Sequence, residues 1–459
     1  MMTGAEYKES LKDGRKVFFQ GRQIDDLESE PVFAAPVNAV AEGYDKFYSS
    51  APGATNPLMS PPRSRDELRD RIPMVTDYDL ALNVTYQSLM TLLVAGARIA
   101  DNAPEYVPRI NAYFEDALRR DIRIVECITD AKGDRSLPPS RQDDPDAYVR
   151  VVERRPDGVV IRGAKLHISA APVAHEMMVM PTKKMRPGEE DYAIACAVPV
   201  NAPGVYITNT TFHPMGGDER DYPVSSRLSM PDSMCIFDDV FVPEERIFLN
   251  GETEHAAVFA HSLGLWERLG GTSAMVTQAD ELVGLAQLIA EANGTAKISH
   301  IREKIDEMII HATLLRAALE AAITHAHTTP EGYYYPDDMY TNVAKYQGAA
   351  QFGRMVRNLH DIAGGAVVTA PSMADFDNPR LRPFMEKYMS TGDDVPGDYR
   401  TKLFHAIRDT TADAYGGWHL VTNLQSGGGL FAQRLVTRKH YDMDRAKALA
   451  RKAAGLSSD

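Results

Sequence analysis

Cysteine is scarce in this chain. Cys127, Cys196 and Cys235 are the only three in 459 residues, and none belongs to a Cys-x-x-Cys pair. Such sparse thiols exclude a disulfide framework and a cysteine-rich metal cluster, and they fit a reducing, cytoplasmic setting. Positive charge is also in deficit, with 50 Lys and Arg against 64 Asp and Glu and a formal net charge of -14. Nucleic acid is thereby excluded as the main partner, because phosphate binding needs a basic footprint. No apolar run reaches the length of about 18 residues that a membrane span requires. The N-terminal MMTGAEYKESLKDGRKV lacks the apolar core of a secretory signal. Four familiar motifs are missing as well: G-x-G-x-x-G, G-x-x-x-x-G-K-[ST], G-x-S-x-G and H-E-x-x-H. The readiest nucleotide-binding, hydrolase and metalloprotease readings go with them.

What remains is an ordinary globular composition, 44% hydrophobic and 25% charged, in a chain long enough for two or three domains. Residues 1–145 read as mostly helical: KVFFQGRQI is a short strand-like piece, and Ser64 is an N-cap for the helix after SPPR. ALNVTYQSLMTLLVAGARIA and YVPRINAYFEDALRRDIRIVE carry apolar residues at helical spacing. Residues 146–261 change to short β-prone runs split by Gly, Pro and Asp turns, a small and mostly antiparallel β domain. Residues 262–459 return to helical period, with Ile301, Ile305, Met308, Ala312, Leu315 and Leu319 on one stripe.

Several features have a plain structural reading beside a functional one. The glycine stretches GGTSA (270–274) and SGGGL (426–430) could present backbone N–H groups to a phosphate, or could serve helix packing and turns. His325-Ala-His327 sits in helical sequence, where residues two apart diverge, so joint metal ligation is disfavoured. His360, His405 and His419 read as packed or surface histidines, and Asp361 as turn chemistry. Three stretches stand out: DGVVIRGAKLHISAAP (157–172), DYPVSSR with IFDDVFVP, and GGAVVTAPS. The first places Lys165, His167 and Ser169, with His175 after the next turn, where core filling alone would not need a polar series.

In that order these stretches resemble the flavoprotein superfamily of the 4-hydroxyphenylacetate 3-monooxygenase large component and 4-hydroxybutyryl-CoA dehydratase. The resemblance runs from TGAEYKESLKDGRKV through TDAKGDRS, HEMMVMPT, KYQGAA and TAPSMADFDNPRL to AQRLVTRKHYD. It implies an α+β multidomain, acyl-CoA dehydrogenase-like fold: an N-terminal α-helical domain, a middle β-barrel-like domain and a C-terminal four-helix bundle. It further implies FAD as cofactor. Ser169 stands at a family Thr near flavin and substrate, and Lys165 shares its strand. Gly364, Gly365, Thr369 and Arg434 would approach the flavin of a neighbouring copy in a homotetramer.

The equipment of both relatives is altered. The dehydratase's iron–sulfur ligands are absent, its His and Cys positions reading Leu265 and Thr272, and clusters need thiolates. Its C-terminal acid position reads Thr422, while an acid before FDD is kept as Asp232. At the hydroxylase's phenol-binding positions, Met74 replaces an Arg, Tyr78 is kept, and Glu126 stands at a His. The resemblance then implies a monooxygenase that takes FADH2 from a separate reductase and hydroxylates an aromatic or other electron-rich small molecule through a flavin C4a-hydroperoxide. Tyr78, Glu126 and His167 are its expected catalytic residues, and it has no metal. A cluster-free dehydratase or isomerase acting on a hydroxyacyl- or enoyl-CoA is the alternative, and a non-catalytic flavin-fold scaffold a third reading.

Overall fold

The computed structural model describes residues 1–77, 80–392 and 394–456. Helix α1 (Gly4–Ser10) opens with a capping box between Thr3 and Glu6. The hairpin β1 (Val17–Phe19) and β2 (Arg22–Ile24) follows, then α2 (Pro31–Phe47), α3 (Arg65–Asp77), α4 (Leu80–Ile99) and α5 (Tyr106–Arg120). The expected N-cap before α3 forms, Glu67 N–H donating to Ser64 Oγ at 3.0 Å. Among the described residues α4 alone is apolar and long enough to cross a membrane by length and composition, yet 83% of its most apolar window is buried within the protein. It is a core helix, packed on α7 and on the four-stranded sheet.

The β domain comprises β3 (Ile124–Cys127), β4 (Arg150–Arg155), β5 (Gly158–Ser169), β6 (Glu176–Val179), β7 (Ile194–Pro199), β8 (Val205–Thr210), β9 (Asp232–Pro243) and β10 (Ile247–Asn250), with a short α6 (Ser225–Leu228) between β8 and β9. Its strands form two sheets, in the orders β2-β1-β8-β9-β5-β4 and β10-β7-β6-β3. Their facing apolar residues, among them Val159, Ile161, Ile168, Val179, Val198 and Phe237, close one core between them. Pairing is antiparallel except for β1 with β8 and β3 with β6. Three strands that precede residue 146 thus belong to the sheets, and helix α7 begins before residue 262. The β region therefore draws strands from the N-terminal region, because strand pairing depends on partners far away in sequence, and it yields its last residues to α7.

The C-terminal region is α7 (Thr253–Ala292), α8 (Ser299–Thr324), the hairpin β11 (His327–Thr328) and β12 (Tyr334–Tyr335), α9 (Asp338–Ala363), α10 (Ala366–Thr369), α11 (Met373–Asp377), α12 (Arg382–Met389), α13 (Gly397–Thr411), α14 (Ala414–Gln425), α15 (Leu430–His440) and α16 (Met443–Ala453). The expected α8 stripe is the buried one, with Leu319 partly covered. The His325–His327 pair, expected on a helix, lies beyond its end: α8 stops at Thr324, His325 stacks on Tyr340, and His327 reaches Asp337 at 3.1 Å.

Lys165 pins β5 to its surroundings. Its ammonium lies 2.7 Å from Asp130 Oδ1 and donates to the carbonyls of Ile128 (3.0 Å) and Met180 (2.8 Å), and both charged residues are buried. All three N–H groups are therefore committed within the protein. Lys165→Met leaves Asp130 as an unpaired buried charge and is expected to cost about 3–5 kcal/mol in urea unfolding, most of it recovered when Asp130 is also replaced by Leu. Unchanged stability in the single variant would contradict this role.

Candidate functional site

Strand β5 carries the first half of the site. Its register against β9 shifts between Lys165 and Ile168, and His167 takes φ 62° there and turns out to solvent. Ser169 lies beyond the shift, half-buried, and its hydroxyl donates to Asp232 Oδ1. The other oxygen of Asp232 accepts the indole N–H of Trp418, on α14, at 2.7 Å. Tyr415, His419 and Phe212 surround that indole with ring centroids 4.9–5.5 Å away. One carboxylate thus joins two strands of the β domain to the C-terminal helices. His175 is placed apart from this group. Its Nδ1 accepts the Arg123 N–H at 2.9 Å, so Nε2 carries the proton and donates to Ser10 Oγ, also at 2.9 Å. Burial lowers its pKa to about 3, which keeps it a neutral structural link.

Helix α14 leads to the second half. His419 Nδ1 lies 2.6 Å from Gln278 Nε2, and Asn423 Nδ2 donates to Gln278 Oε1 at 2.7 Å. The Asn423 carbonyl accepts from Lys345 Nζ at 2.6 Å, and Ser426 Oγ donates to Glu267 Oε1 at 2.7 Å. Trp418 and Ser426 are eight residues apart, about 12 Å along a helix axis. Lys345 on α9 is fully buried, and burial, together with the nearby Arg268, lowers its pKa to about 8 against the opposing pull of Glu267. Glu126 on β3 has Oε1 sealed from solvent with no hydrogen-bond partner. Burial, with Glu267 and Cys127 nearby, pushes its carboxyl well above the ordinary range. Asn83 and Gln87, one turn apart on α4, share a 3.2 Å hydrogen bond, and α7 meets them at Gly270, where a Cβ would stand 2.3 Å from Gln87 Nε2.

The other two singled-out stretches meet each other. Asp221 of DYPVSSR accepts from Ser372 Oγ (2.5 Å), the last residue of GGAVVTAPS, and from the Met373 N–H that follows it (2.8 Å). Asp409 returns the tie by accepting the Val224 and Ser225 N–H groups, both at 2.8 Å. Gly364 and Gly365, between α9 and α10, and Thr369, the last residue of α10, are exposed, and Gly364 takes φ 81°, with nothing near its missing side chain. Arg434 on α15 is exposed beside Tyr346. Within one chain, then, Ser169, Glu126 and the Gly364–Thr369 loop occupy three separate places.

Other expectations fall differently. Tyr78 lies outside the described residues, and Met74 is 40% exposed on α3. GGTSA lies inside α7, where its N–H groups serve the helix, so it forms no phosphate loop. In SGGGL the Gly427 carbonyl accepts from Arg268 Nε at 2.8 Å, which makes that loop a tie to α7. Leu265 and Thr272 are buried in α7, the Thr272 hydroxyl donating to the Arg268 carbonyl at 2.7 Å. Among the described residues no group of three His, Cys, Asp or Glu is placed to hold a metal. Sequence reading missed Lys345, Glu267 and Trp418: each is a single polar or aromatic residue in a helical pattern, and only the tertiary contact gives it meaning.

Comparison with known proteins places this architecture. The family described as 4-hydroxyphenylacetate 3-hydroxylase matches in two parts, its N-terminal part over residues 3–249 and its C-terminal part over residues 256–455. 4-Hydroxybutyryl-CoA dehydratase/vinylacetyl-CoA-Delta-isomerase of Clostridium aminobutyricum is 28% identical, over 99% of this chain and 100% of its own length. The oxygenase component of 4-hydroxyphenylacetate 3-monooxygenase, solved in complex with FAD, superposes with a TM-score of 0.88 at 26% identity, covering 98% of each chain. Butyryl-CoA dehydrogenase of Megasphaera elsdenii, at 15% identity, a TM-score of 0.50 and coverage of 89% and 88%, shares the fold alone. The fold is acyl-CoA dehydrogenase-like, as the sequence resemblance implied.

Glu126 generates a prediction with a definite sign. An ordinary Glu titrates near 4.5, whereas the folded protein holds this proton to much higher pH. Its stabilising contribution is therefore complete below about pH 4.5 and is lost as pH rises toward the folded pKa. Glu126→Gln removes that loss. The variant is expected to unfold at the same temperature as the parent near pH 4 and at a higher one near pH 7. Equal or lower melting at neutral pH would show that Glu126 is already compensated.

Proposed function

The chain belongs to the 4-hydroxyphenylacetate 3-hydroxylase family, and we propose that it is the oxygenase component of a two-component flavin monooxygenase. In this reading it receives FADH2 from a separate reductase and hydroxylates an aromatic or other electron-rich small molecule. The observation that carries the proposal is the polar strand end at Ser169, tied through Asp232 to the Trp418 indole. The metal-ligand positions that the dehydratase chemistry requires are, by alignment, a leucine and a threonine. When bound, reduced FAD supplies the electrons and the activation of O2.

The residues present fit that cofactor. Ser169 offers a hydroxyl on an open strand end, Trp418 a flat wall, and the bare backbone at Gly364–Gly365 a place where a phosphate can approach. Gly364, Gly365, Thr369 and Arg434 would serve a neighbouring copy's flavin in a homotetramer, and exposed apolar residues on α8 and α15 support such an assembly: Ile310 (59%), Leu314 (53%) and Phe431 (69%). Lys165 holds the strand that presents Ser169, and His167, exposed at the register shift, is free to face a bound molecule. Glu126 and Tyr78 orient the substrate, with Glu126 holding or accepting a proton at its carboxyl oxygen. The free, buried thiols suit the proposed cytoplasmic location. A second reading, a cluster-free dehydratase or isomerase acting on a hydroxyacyl- or enoyl-CoA, is favoured by the end-to-end match to the dehydratase.

One experiment separates the two. The protein is loaded with FADH2, exposed to ¹⁸O₂ with a panel of phenols, and assayed without oxygen on hydroxyacyl- and enoyl-CoA thioesters. Label in a hydroxylated product is the expected result, and Ser169→Ala is expected to lower product formed per FADH2 by about 2- to 10-fold. Anaerobic thioester turnover with no labelled product would overturn the oxygenase reading.

A further inference from the structure

Ser169 and Asp232 stand directly opposite each other on β5 and β9, and the Ser169 hydroxyl donates to Asp232 Oδ1. The second oxygen, Oδ2, accepts the Trp418 indole N–H at 2.7 Å. Among the described residues Asp232 accepts from these two groups alone, so each of its oxygens has one donor. A carboxylate has no hydrogen to give in return. The direction of the contact is therefore fixed, with the serine as donor.

A serine hydroxyl has one hydrogen and two lone pairs. Here the hydrogen is committed inward, and a charged acceptor holds it more firmly than a neutral one would. What Ser169 turns toward the strand end is lone pairs, so it can only accept. Trp418 keeps the carboxylate in place, because its indole is wedged among Phe212, Tyr415 and His419, with ring centroids 4.9–5.5 Å away. A ligand that bonds to Ser169 must bring an N–H or O–H of its own.

The two redox states of an isoalloxazine differ in this respect. Two-electron reduction turns the central-ring nitrogen N5 from an acceptor into an N–H donor. An outward donor at Ser169 would suit the oxidised ring, and an outward acceptor suits the reduced one. We propose that Asp232 is a positioning residue: by holding the Ser169 hydrogen inward, it makes this face select reduced over oxidised flavin. This rests on the flavin reading of the site and adds the residue that sets its redox preference.

The test is a double-mutant cycle, read as the midpoint potential of bound FAD relative to free FAD. Tighter binding of the reduced form raises that potential by about 30 mV for each tenfold in the ratio of the two dissociation constants. The parent is expected to favour reduced FAD by about tenfold or more. Ser169→Ala should lose that preference, and Ser169→Thr, which keeps the hydroxyl, should retain it. Asp232→Asn keeps the shape and the acceptor for Trp418, but its amide N–H donates to Ser169 and turns the hydroxyl hydrogen outward. Loss of a negative charge by itself favours reduction, so charge and hydroxyl direction act with opposite sign. The shift caused by Asp232→Asn should be more negative by about 30 mV in the parent than in the Ser169→Ala background, where only the charge changes. Equal shifts in the two backgrounds, or a parent with no preference for reduced FAD, would overturn the proposal and leave the flavin reading standing. FAD bound in neither redox state would remove both.

Discussion

Everything functional in this protein depends on carboxylates that bridge the β domain and the C-terminal helices. Asp232 accepts from Ser169 and Trp418, Asp221 from Ser372 and Met373, and Asp409 from Val224 and Ser225. An apolar seam would have closed the same boundary with no direction to it. Hydrogen bonds to a charged acceptor are directional, and each is worth about 1.5–3 kcal/mol. They hold the two regions in one geometry.

Polar contacts run the length of α14. Trp418 and His419 face the strand end at Ser169, and Asn423 and Ser426 face Lys345 and Glu267. One helix therefore spans the distance between the Ser169–Asp232–Trp418 group and the Lys345–Glu267 group. The interior carries a penalty for this arrangement. Burial pushes the Glu126 carboxyl well above the ordinary range, Lys345 loses part of its basicity, and His419 is lowered by burial to about 4. Unbalanced buried groups of this kind are typical of sites waiting for a ligand and uncommon in purely structural cores.

Much of the fold was legible in the sequence because it is written locally. The α8 stripe, the Ser64 cap and the alternation of β-prone runs with Gly and Pro turns all follow from residues a few positions apart. The entry of β1, β2 and β3 into the sheets was not, since pairing joins Val17 to Ile207 and Ile124 to Glu176. The site was half legible. Ser169 stood out as a polar residue in an apolar strand, Asp232 entered only through the family resemblance, and the structure joins them. Lys165 stood out for the same reason, but its partner Asp130 turns it inward. Lys345 and Glu267 carried no signal, because a lysine or glutamate in a helix is usually a solvated one, and only the packing of α4, α7, α9 and β3 buries them.

The central claim is that a reduced flavin lies against the Ser169–Asp232–Trp418 face. The most direct measurement is an anaerobic titration of the protein with FADH2, following tryptophan emission in the parent and in Trp418→Phe. The chain has two tryptophans, and Trp266 is buried against Tyr86, so a flavin at this face should quench the Trp418 part of the signal. Saturable quenching in the parent that is largely absent in Trp418→Phe is the predicted result. A parent protein that binds flavin in neither redox state, or quenching that survives loss of Trp418 unchanged, would contradict the account.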